Sequence, residues 1–206
     1  MALSNSRITS FRAPLLTRLL DKAFNACPNI TNVEVSADIT YIGANAFSRT
    51  STGQWGPLET FTPTTLPKLE IIGGQAFYSS KGSLKGDFYC PALTNLGSGA
   101  FQNTKITSFD APRLATVSRN AFMSCANLSN VVVRGGGTIE QSCFASVNID
   151  SLIIRVLGPA PTSIGSTPFI AISSGYDYPQ VRVARSKYLD DWLNLSGMTF
   201  TPFETA

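Results

Sequence analysis

Apolar residues recur along the chain at fixed distances from a phenylalanine that anchors each of seven similar segments. Five residues before each anchor lies an aliphatic residue, and eight residues before it most segments carry Leu or Ile. The anchors are Phe24, Phe47, Phe77, Phe101, Phe122, Phe144 and Phe169. Self-similarity at a period of about 20 to 50 residues indicates a repeat architecture, and the distance from each anchor to the next lies in the lower part of this range.

A second apolar pattern lies upstream of each anchor and predicts a strand. The segments 8–29 and 106–127 show it best, because eleven of their 22 positions are identical. Apolar and polar residues alternate over the strand, as expected for one half-buried face, and Pro and Gly punctuate the return. The fourth copy fits less well, with Lys85 where the pattern needs an apolar residue. Because one such unit cannot bury its apolar face alone, we expect the units to stack as a solenoid.

The strand followed by L-x-x-I-x-x-x-A-F-x-x-C resembles the BspA-like, or Treponema pallidum-type, leucine-rich repeat. Its most specific part, Ala-Phe-x-x-Cys, is present at 23–27 and at 121–125. The resemblance implies a leucine-rich-repeat solenoid of about seven short strand-and-turn repeats. It also implies a surface-displayed recognition domain of the kind found in bacteria, some protozoa and phages, with no shared catalytic residues.

The chain divides into three parts on this interpretation. Residues 1–7 form an N-terminal lead, 8–155 the repeats, and 156–206 a degenerate last repeat with a C-terminal cap. Val181 and Val183 alternate with a polar residue as a final strand. Ser186 can N-cap a short helix that ends at Gly197, and Trp192 on its apolar face is expected to plug the end of the core.

Composition excludes several classes of function. Charged residues make up only 14% of the chain and the net charge is +3, with the basic residues scattered. A nucleic-acid-binding protein normally presents a basic stripe, so no nucleic-acid partner is expected. No window approaches the ~20 consecutive apolar residues of a membrane span. No secretory signal is visible at the N-terminus, so a surface location requires either a removed signal or another route, such as assembly into a virion.

The residue types of most active sites are absent, and we expect neither an enzyme nor a cofactor. The chain has no histidine, which removes His-based nucleophile systems and metal sites. The four cysteines lack any C-x-x-C pair, and their repeat positions predict buried core thiols. Asp190 and Asp191 are adjacent on the predicted helix and point about 100° apart, so they cannot face one substrate together.

The outward strand positions offer the predicted binding surface. They carry hydroxyls, amides and a few charges, and a partner protein or glycan would meet them first. The outward residues include Ser10, Arg12, Asn32, Glu34, Thr60, Thr62, Asp87, Tyr89, Ser108, Asp110, Ser151 and Ile153. The alternative is that Thr and Ser simply tolerate exposed strand positions.

Two long Gly/Ser-rich returns add an aromatic residue each, Trp55 and Tyr78. Aromatic residues in loops on a rigid scaffold are suited to stacking on a sugar or anchoring a protein. Trp55 could equally tuck back as a lid on the solenoid.

The first repeat carries Leu15 and Leu20 where later repeats mostly place polar residues or glycine. Either these side chains fold over the open end of the core, or this N-terminal edge docks on a partner, on another copy or on an upstream domain. The sequence therefore predicts a non-catalytic recognition or adhesion module that binds protein or carbohydrate on a cell surface. The alternative is a structural subunit of a phage virion, such as a decoration or tail protein.

Overall fold

The structure is a computed structural model that describes residues 3–48, 57–78, 84–148, 151–158 and 162–165, with the backbone of 181–184 and 200–203. These residues form a parallel β-solenoid, and none of them lies in a helix. Most coils supply one longer strand, one two-residue strand and one turn, and in the coil of Phe122 an isolated bridge at Val117 takes the place of the two-residue strand. The predicted solenoid is confirmed. The C-terminal helix expected after Ser186 lies outside the described residues.

The longer strands stack in parallel and form the main face of the solenoid. They are β1 (Ser10–Ala13), β3 (Asn32–Val35), β5 (Thr60–Thr62), β7 (Lys85–Tyr89), β9 (Lys105–Ala111), β10 (Asn130–Val133) and β12 (Ile153–Val156). Two sheets result, in the orders β1-β3-β5 and β7-β9-β10-β12. Their register places Phe11 beside Val33 and Val33 beside Phe61, which are the inward positions that the repeat pattern predicts.

The two-residue strands form a second set of parallel ladders, in the orders β2-β4-β6-β8 and β11-β13, which carry most of the aliphatic residues found five positions before the anchors. They are β2 (Arg18–Leu19), β4 (Tyr41–Ile42), β6 (Ile71–Ile72), β8 (Asn95–Leu96), β11 (Thr138–Ile139) and β13 (Ser163–Ile164). The predicted final strand is present as β14 (Val181–Ala184). It pairs in parallel with β15 (Phe200–Phe203).

A third ladder runs through the Ala-Phe turns. From Phe24 to Phe122, the backbone N–H of each anchor donates to the carbonyl of the residue before the next anchor, as from Phe77 to Ala100 (2.8 Å) and from Phe101 to Ala121 (2.9 Å). Most of these turns hold a left-handed residue two positions before the anchor and two after it, such as Asn120 (φ 56) and Ser124 (φ 61) around Phe122. Asn and Gly adopt this conformation readily, which explains why they recur there.

The anchor phenylalanines form a continuous stack through the core. Neighbouring rings from Phe24 to Phe144 lie 5.0–5.9 Å apart between centroids and within 16° of parallel. Strand phenylalanines pack edge-on against the stack, as Phe109 does on Phe122 at 5.0 Å and 60°. Stacked and edge-to-face pairs each add about 0.5–1.5 kcal/mol to the burial of their area, so aromatic contacts stabilise each coil against its neighbours.

The main sheet breaks between β5 and β7, beside the copy that fits the repeat least well. The predicted faces of β7 are confirmed, because Phe88 and Cys90 are buried while Asp87 and Tyr89 are exposed. Lys85, which interrupts the apolar pattern, is exposed, and the neighbouring Leu84 is fully buried. The register shifts between Gly86 and Asp87, because Gly86 pairs with Ile106 and Asp87 pairs with Ser108, which leaves Thr107 as an extra residue in β9. On the other side, Pro63 has no N–H to donate to a neighbouring strand, and the next bridge is formed by Thr65 with Tyr89.

The predicted register of β12 against β10 is wrong by two residues. Asn130 pairs with Ile153 and Val132 pairs with Arg155. The outward residues of β12 are therefore Ile153 and Arg155 rather than Ser151 and Ile153. The inward positions are taken by Ile154 and Val156, which are both buried. The sequence offers two alternating apolar frames here, and only the pairing with β10 selects one of them.

Candidate recognition surfaces

The outward residues of β1, β3 and β5 form one polar surface, which we call the N-terminal strand face. They enclose a shallow depression of about 250 Å³. Its polar lining consists of Ser10, Arg12, Asn32, Glu34, Thr60 and Thr62. Strand pairing places Ser10, Asn32 and Thr60 in one row and Arg12, Glu34 and Thr62 in the next.

Hydrogen bonds between coils fix the side chains of this depression. The Thr60 hydroxyl donates to Oδ1 of Asn32 (2.6 Å), and Nδ2 of Asn32 donates to the hydroxyl of Thr31 (2.9 Å). Nε of Arg12 lies 3.0 Å from Oε2 of Glu34. Because these side chains are already held by their neighbours, a ligand that binds here orders few of them and loses little of its affinity to side-chain entropy.

The outward residues of β7, β9, β10 and β12 form a second surface, the C-terminal strand face. Tyr89 is 44% exposed and stands beside Asp110 in the register. The hydroxyl of Thr107 donates to Oδ1 of Asp87. Burial raises the pKa of Asp110, and the positive charge of Arg155 opposes this rise. An exposed aromatic ring thus stands next to a carboxylate on a surface separated from the N-terminal strand face by the break at Pro63.

The structure describes one of the two aromatic loop residues, Tyr78. Trp55 lies outside the described residues. Tyr78 lies just after the third anchor, is half-buried, and donates its backbone N–H to the carbonyl of Gln75 (3.2 Å). The structure therefore places Tyr78 at the turn side of the solenoid and away from both strand faces.

The N-terminal end of the solenoid is apolar and open. Leu15 is 90% exposed, Leu20 55% and Leu3 42%. Leu3 and Leu20 line a depression of about 270 Å³, together with half-buried Phe11 and Leu16. One of the two sequence hypotheses required Leu15 to fold over the end of the core, and its exposure contradicts that hypothesis.

A cluster at the same end was not anticipated from the sequence. The Tyr41 hydroxyl donates to Oδ1 of Asp21 (2.7 Å), the same oxygen accepts from the backbone N–H of Ala44 (2.9 Å), and the Arg18 guanidinium lies 4.6 Å from the centre of the Tyr41 ring. The pKa of Tyr41 is raised, and the main cause is the hydrogen bond from its hydroxyl to Asp21. Because these residues come from two coils and have no counterparts in later repeats, the repeat pattern gives no signal for them.

The cysteine thiols, the strongest nucleophiles among the described residues, are buried away from solvent. All four cysteines are free and buried, as their repeat positions predict. Burial raises the pKa of Cys125 to about 11 and that of Cys90 to about 12, and it also raises the pKa of Cys143. Across the described part of the chain, no three His, Cys, Asp or Glu residues come together as a metal site. Nor does this part contain a helix long and apolar enough to cross a membrane.

Comparison with known families agrees with this geometry. The profile of the BspA type leucine rich repeat region matches residues 1–55 and 57–171, in six copies. Searches of curated proteins and of solved structures return no match. Proteins of the matched family are generally surface-associated adhesion and recognition repeats, typically without catalytic activity. Since the match covers most of the sequence and the stacked coils follow its repeat, the chain belongs to the BspA-type leucine-rich repeat family.

Proposed function

We propose that this protein is a non-catalytic recognition module that binds a protein or carbohydrate at a cell surface through its N-terminal strand face. The observation that carries the proposal is the depression of about 250 Å³ lined by hydroxyl, amide and paired charged groups. Its floor is the fully packed core beneath Val33 and Phe61. A rigid base with polar groups on top is a suitable scaffold for recognition.

The chemistry of this face favours a polar partner that carries little charge. Arg12 and Glu34 neutralise each other at 3.0 Å, and the other polar groups are neutral. A single hydrogen bond contributes only about 0.5–1.5 kcal/mol net. Useful affinity would therefore come from several bonds made together, as a glycan or an extended peptide segment can make them across the three strands.

The test is a binding measurement on glycan arrays and on cells, followed by paired substitutions. Asn32→Ala with Thr60→Ala removes two polar groups from the depression. A matched control, Thr94→Ala with Asn95→Ala, removes the same two side-chain types from exposed positions beside the second ladder. We expect the first pair to weaken binding about tenfold or more, which corresponds to about 1.4 kcal/mol. We expect the control pair to leave it unchanged, and equal losses in both pairs would contradict the proposal.

A second candidate is a structural subunit of a larger assembly, such as a phage decoration or tail protein. The observation that favours it is the exposure of Leu15 (90%) and Leu20 (55%) at the N-terminal end. Light scattering over a concentration range tests self-assembly. A discrete oligomer that dissociates with Leu15→Lys and Leu20→Lys, while the fold is retained, would favour this candidate. A monomer at all concentrations would leave the recognition module as the better description.

A further inference from the structure

Two exposed apolar side chains mark the C-terminal strand face. Among the described residues, five large apolar side chains are exposed, and three of them belong to the N-terminal end. The other two are Tyr89 (44% exposed), at the end of β7, and Leu157 (52%), directly after β12. Both lie on the outer side of the sheet, because the residues before them, Phe88 and Val156, are buried. The outward residues of the N-terminal strand face are all polar, so the two faces suit different partners.

Two arginines lie at the ends of the inner strands of the same sheet. Arg134 directly follows β10, Arg113 lies two residues after β9, and both are exposed. The backbone N–H of Arg134 donates to the carbonyl of Leu114 (2.8 Å), which holds it beside the turn that contains Arg113. Neither arginine forms an ion pair with another described residue. Folding thus brings together two basic residues that lie one coil apart in the sequence, and we call them the arginine pair.

The spacing of these groups matches that of an extended polypeptide. Tyr89 belongs to the first strand of the sheet β7-β9-β10-β12, and Leu157 follows the fourth. Neighbouring strands lie about 4.8 Å apart, so three spacings separate the two residues by about 14 Å across the sheet. An extended chain rises about 3.3 Å per residue with alternate side chains on one side, so its residues i and i+4 lie about 13 Å apart. The side chain at i+2 then falls above β9 and β10, where the arginine pair lies.

The chemistry of this face favours a protein over an anionic polymer. Tyrosine and arginine are enriched in protein–protein interfaces, and a guanidinium binds a carboxylate through two parallel hydrogen bonds. Asp110 stands beside Tyr89 in the register, and Asp87 lies two residues earlier on β7. These carboxylates repel a ligand that is negative along its whole length. A segment with one central carboxylate avoids this repulsion.

We propose that the C-terminal strand face binds an extended segment of a partner protein, in which one carboxylate side chain pairs with Arg113 and Arg134. The apolar side chains two residues before and two residues after this carboxylate pack on Tyr89 and Leu157. Charge-assisted hydrogen bonds to the arginine pair are stronger than those between neutral groups, and the two apolar contacts exclude water around them. This surface is distinct from the N-terminal strand face, so the two proposals stand or fall separately.

A phage-displayed library of random heptapeptides, selected on the full chain, tests the pattern directly. We expect the selected peptides to carry Asp or Glu with an apolar residue two positions before it and another two positions after it. Selected peptides without this pattern, or the failure of any peptide to be selected, would overturn the proposal.

Calorimetry with the synthetic consensus peptide then locates the site. Arg113→Gln with Arg134→Gln should weaken binding by about tenfold or more, and Tyr89→Ala with Leu157→Ala should weaken it to a similar extent. The matched control, Arg7→Gln with Arg119→Gln, removes the same charge from exposed positions outside this face and should leave the affinity unchanged. Circular dichroism verifies the fold of each variant. Equal losses in the two arginine variants, or unchanged affinity in the apolar variant, would overturn the proposal.

Two further measurements address the other ligands and the other face. Heparin that binds more tightly than the peptide, and loses this binding in the variant of the arginine pair, would show that the ligand is an anionic polymer and would overturn the proposal. Asn32→Ala with Thr60→Ala should leave peptide affinity unchanged, because both residues lie on the N-terminal strand face. A loss in that variant would place the peptide on the other face and would equally overturn the proposal.

Discussion

Replacing Gly97 by alanine should pull two neighbouring coils apart. Gly97 lies directly after β8, where its backbone packs on the coil before it. A Cβ at this position would lie 2.2 Å from the backbone nitrogen of Gly74 and 2.5 Å from the carbonyl carbon of Gly73. Optimal contact between non-bonded heavy atoms needs about 3.5–4.0 Å, so one coil must shift by on the order of 1 Å. No flexible side chain is available to move instead, because both neighbours are backbone atoms.

The cost follows from what the shift disrupts. Overpacking of a well-packed region costs about 1–3 kcal/mol. The shift also weakens the hydrogen bond from the N–H of Gly97 to the carbonyl of Ile72 (2.8 Å), which contributes about 1 kcal/mol. Alanine lowers the entropy of the unfolded chain and returns about 0.4–1 kcal/mol. The expected net loss in the free energy of unfolding is therefore about 2–3 kcal/mol.

Gly74→Ala is the matched control, one coil away and of identical chemistry. A Cβ there meets the carbonyl oxygen of Ser98 at 3.4 Å, an ordinary contact, and the backbone of Gly74 lies outside the left-handed region. We expect this variant to be neutral or more stable by about 0.4–1 kcal/mol. Urea unfolding followed by circular dichroism measures both. Equal changes in the two variants, or a loss below about 1 kcal/mol for Gly97→Ala, would refute the argument from coil contact.

Four further predictions concern the core, a turn, a carboxylate and the buried thiols. Phe101→Ala should cost about 3–5 kcal/mol in urea unfolding, because the ring is fully buried between two stacked and two edge-on rings. Gln75→Gly should instead stabilise by about 0.5–1 kcal/mol, since Gln75 holds φ 54, and a loss would contradict this. Burial raises the pKa of Asp110, so folding penalises its ionised form. Its contribution to stability improves as pH falls through the raised pKa, and Asp110→Asn should give a small gain at pH 7 that vanishes in acid. A thiol reagent at pH 8 should label Cys90 and Cys125 only after unfolding, because their pKa values are raised to about 12 and about 11.

The core could be predicted from the sequence because the same few positions are buried in every coil. The anchor phenylalanine and the aliphatic residue five positions before it recur at Phe101 and Leu96 or at Phe122 and Val117, and all four are buried. A solenoid repeats one local environment, so one physical constraint is written into the sequence several times. Repetition of this kind outweighs the weak strand propensity of any single short segment.

Register failed where the repetition is interrupted. The burial of Leu84 beside Lys85 could not be predicted from the fourth copy alone, because the bulge at this point lies in β9, where Thr107 is the extra residue in the pairing with β7. Arg155 was missed on the C-terminal strand face for the same reason, since β12 carries apolar residues in a run and its frame is set by β10. The slip of two residues keeps the same face of β12 outward but moves each outward residue one place along the sheet, so Arg155 joins the surface and Ser151 leaves it.

The separation of core positions from surface positions makes the proposed sites testable. Inward positions stack on identical neighbours, so a change there, as at Gly97 or Phe101, disturbs adjacent coils. The outward side chains of Asn32 and Thr60 are exposed and hydrogen-bond to each other, and surface substitutions of this kind usually change stability by less than about 0.5 kcal/mol. A loss of binding in the strand-face pair is therefore attributable to the surface itself. The N-terminal end is different, because Phe11 and Leu16 belong to the core and to the exposed depression at once. There, a substitution changes the surface and the packing of the first coil together, so its effect on assembly has to be measured beside its effect on the free energy of unfolding.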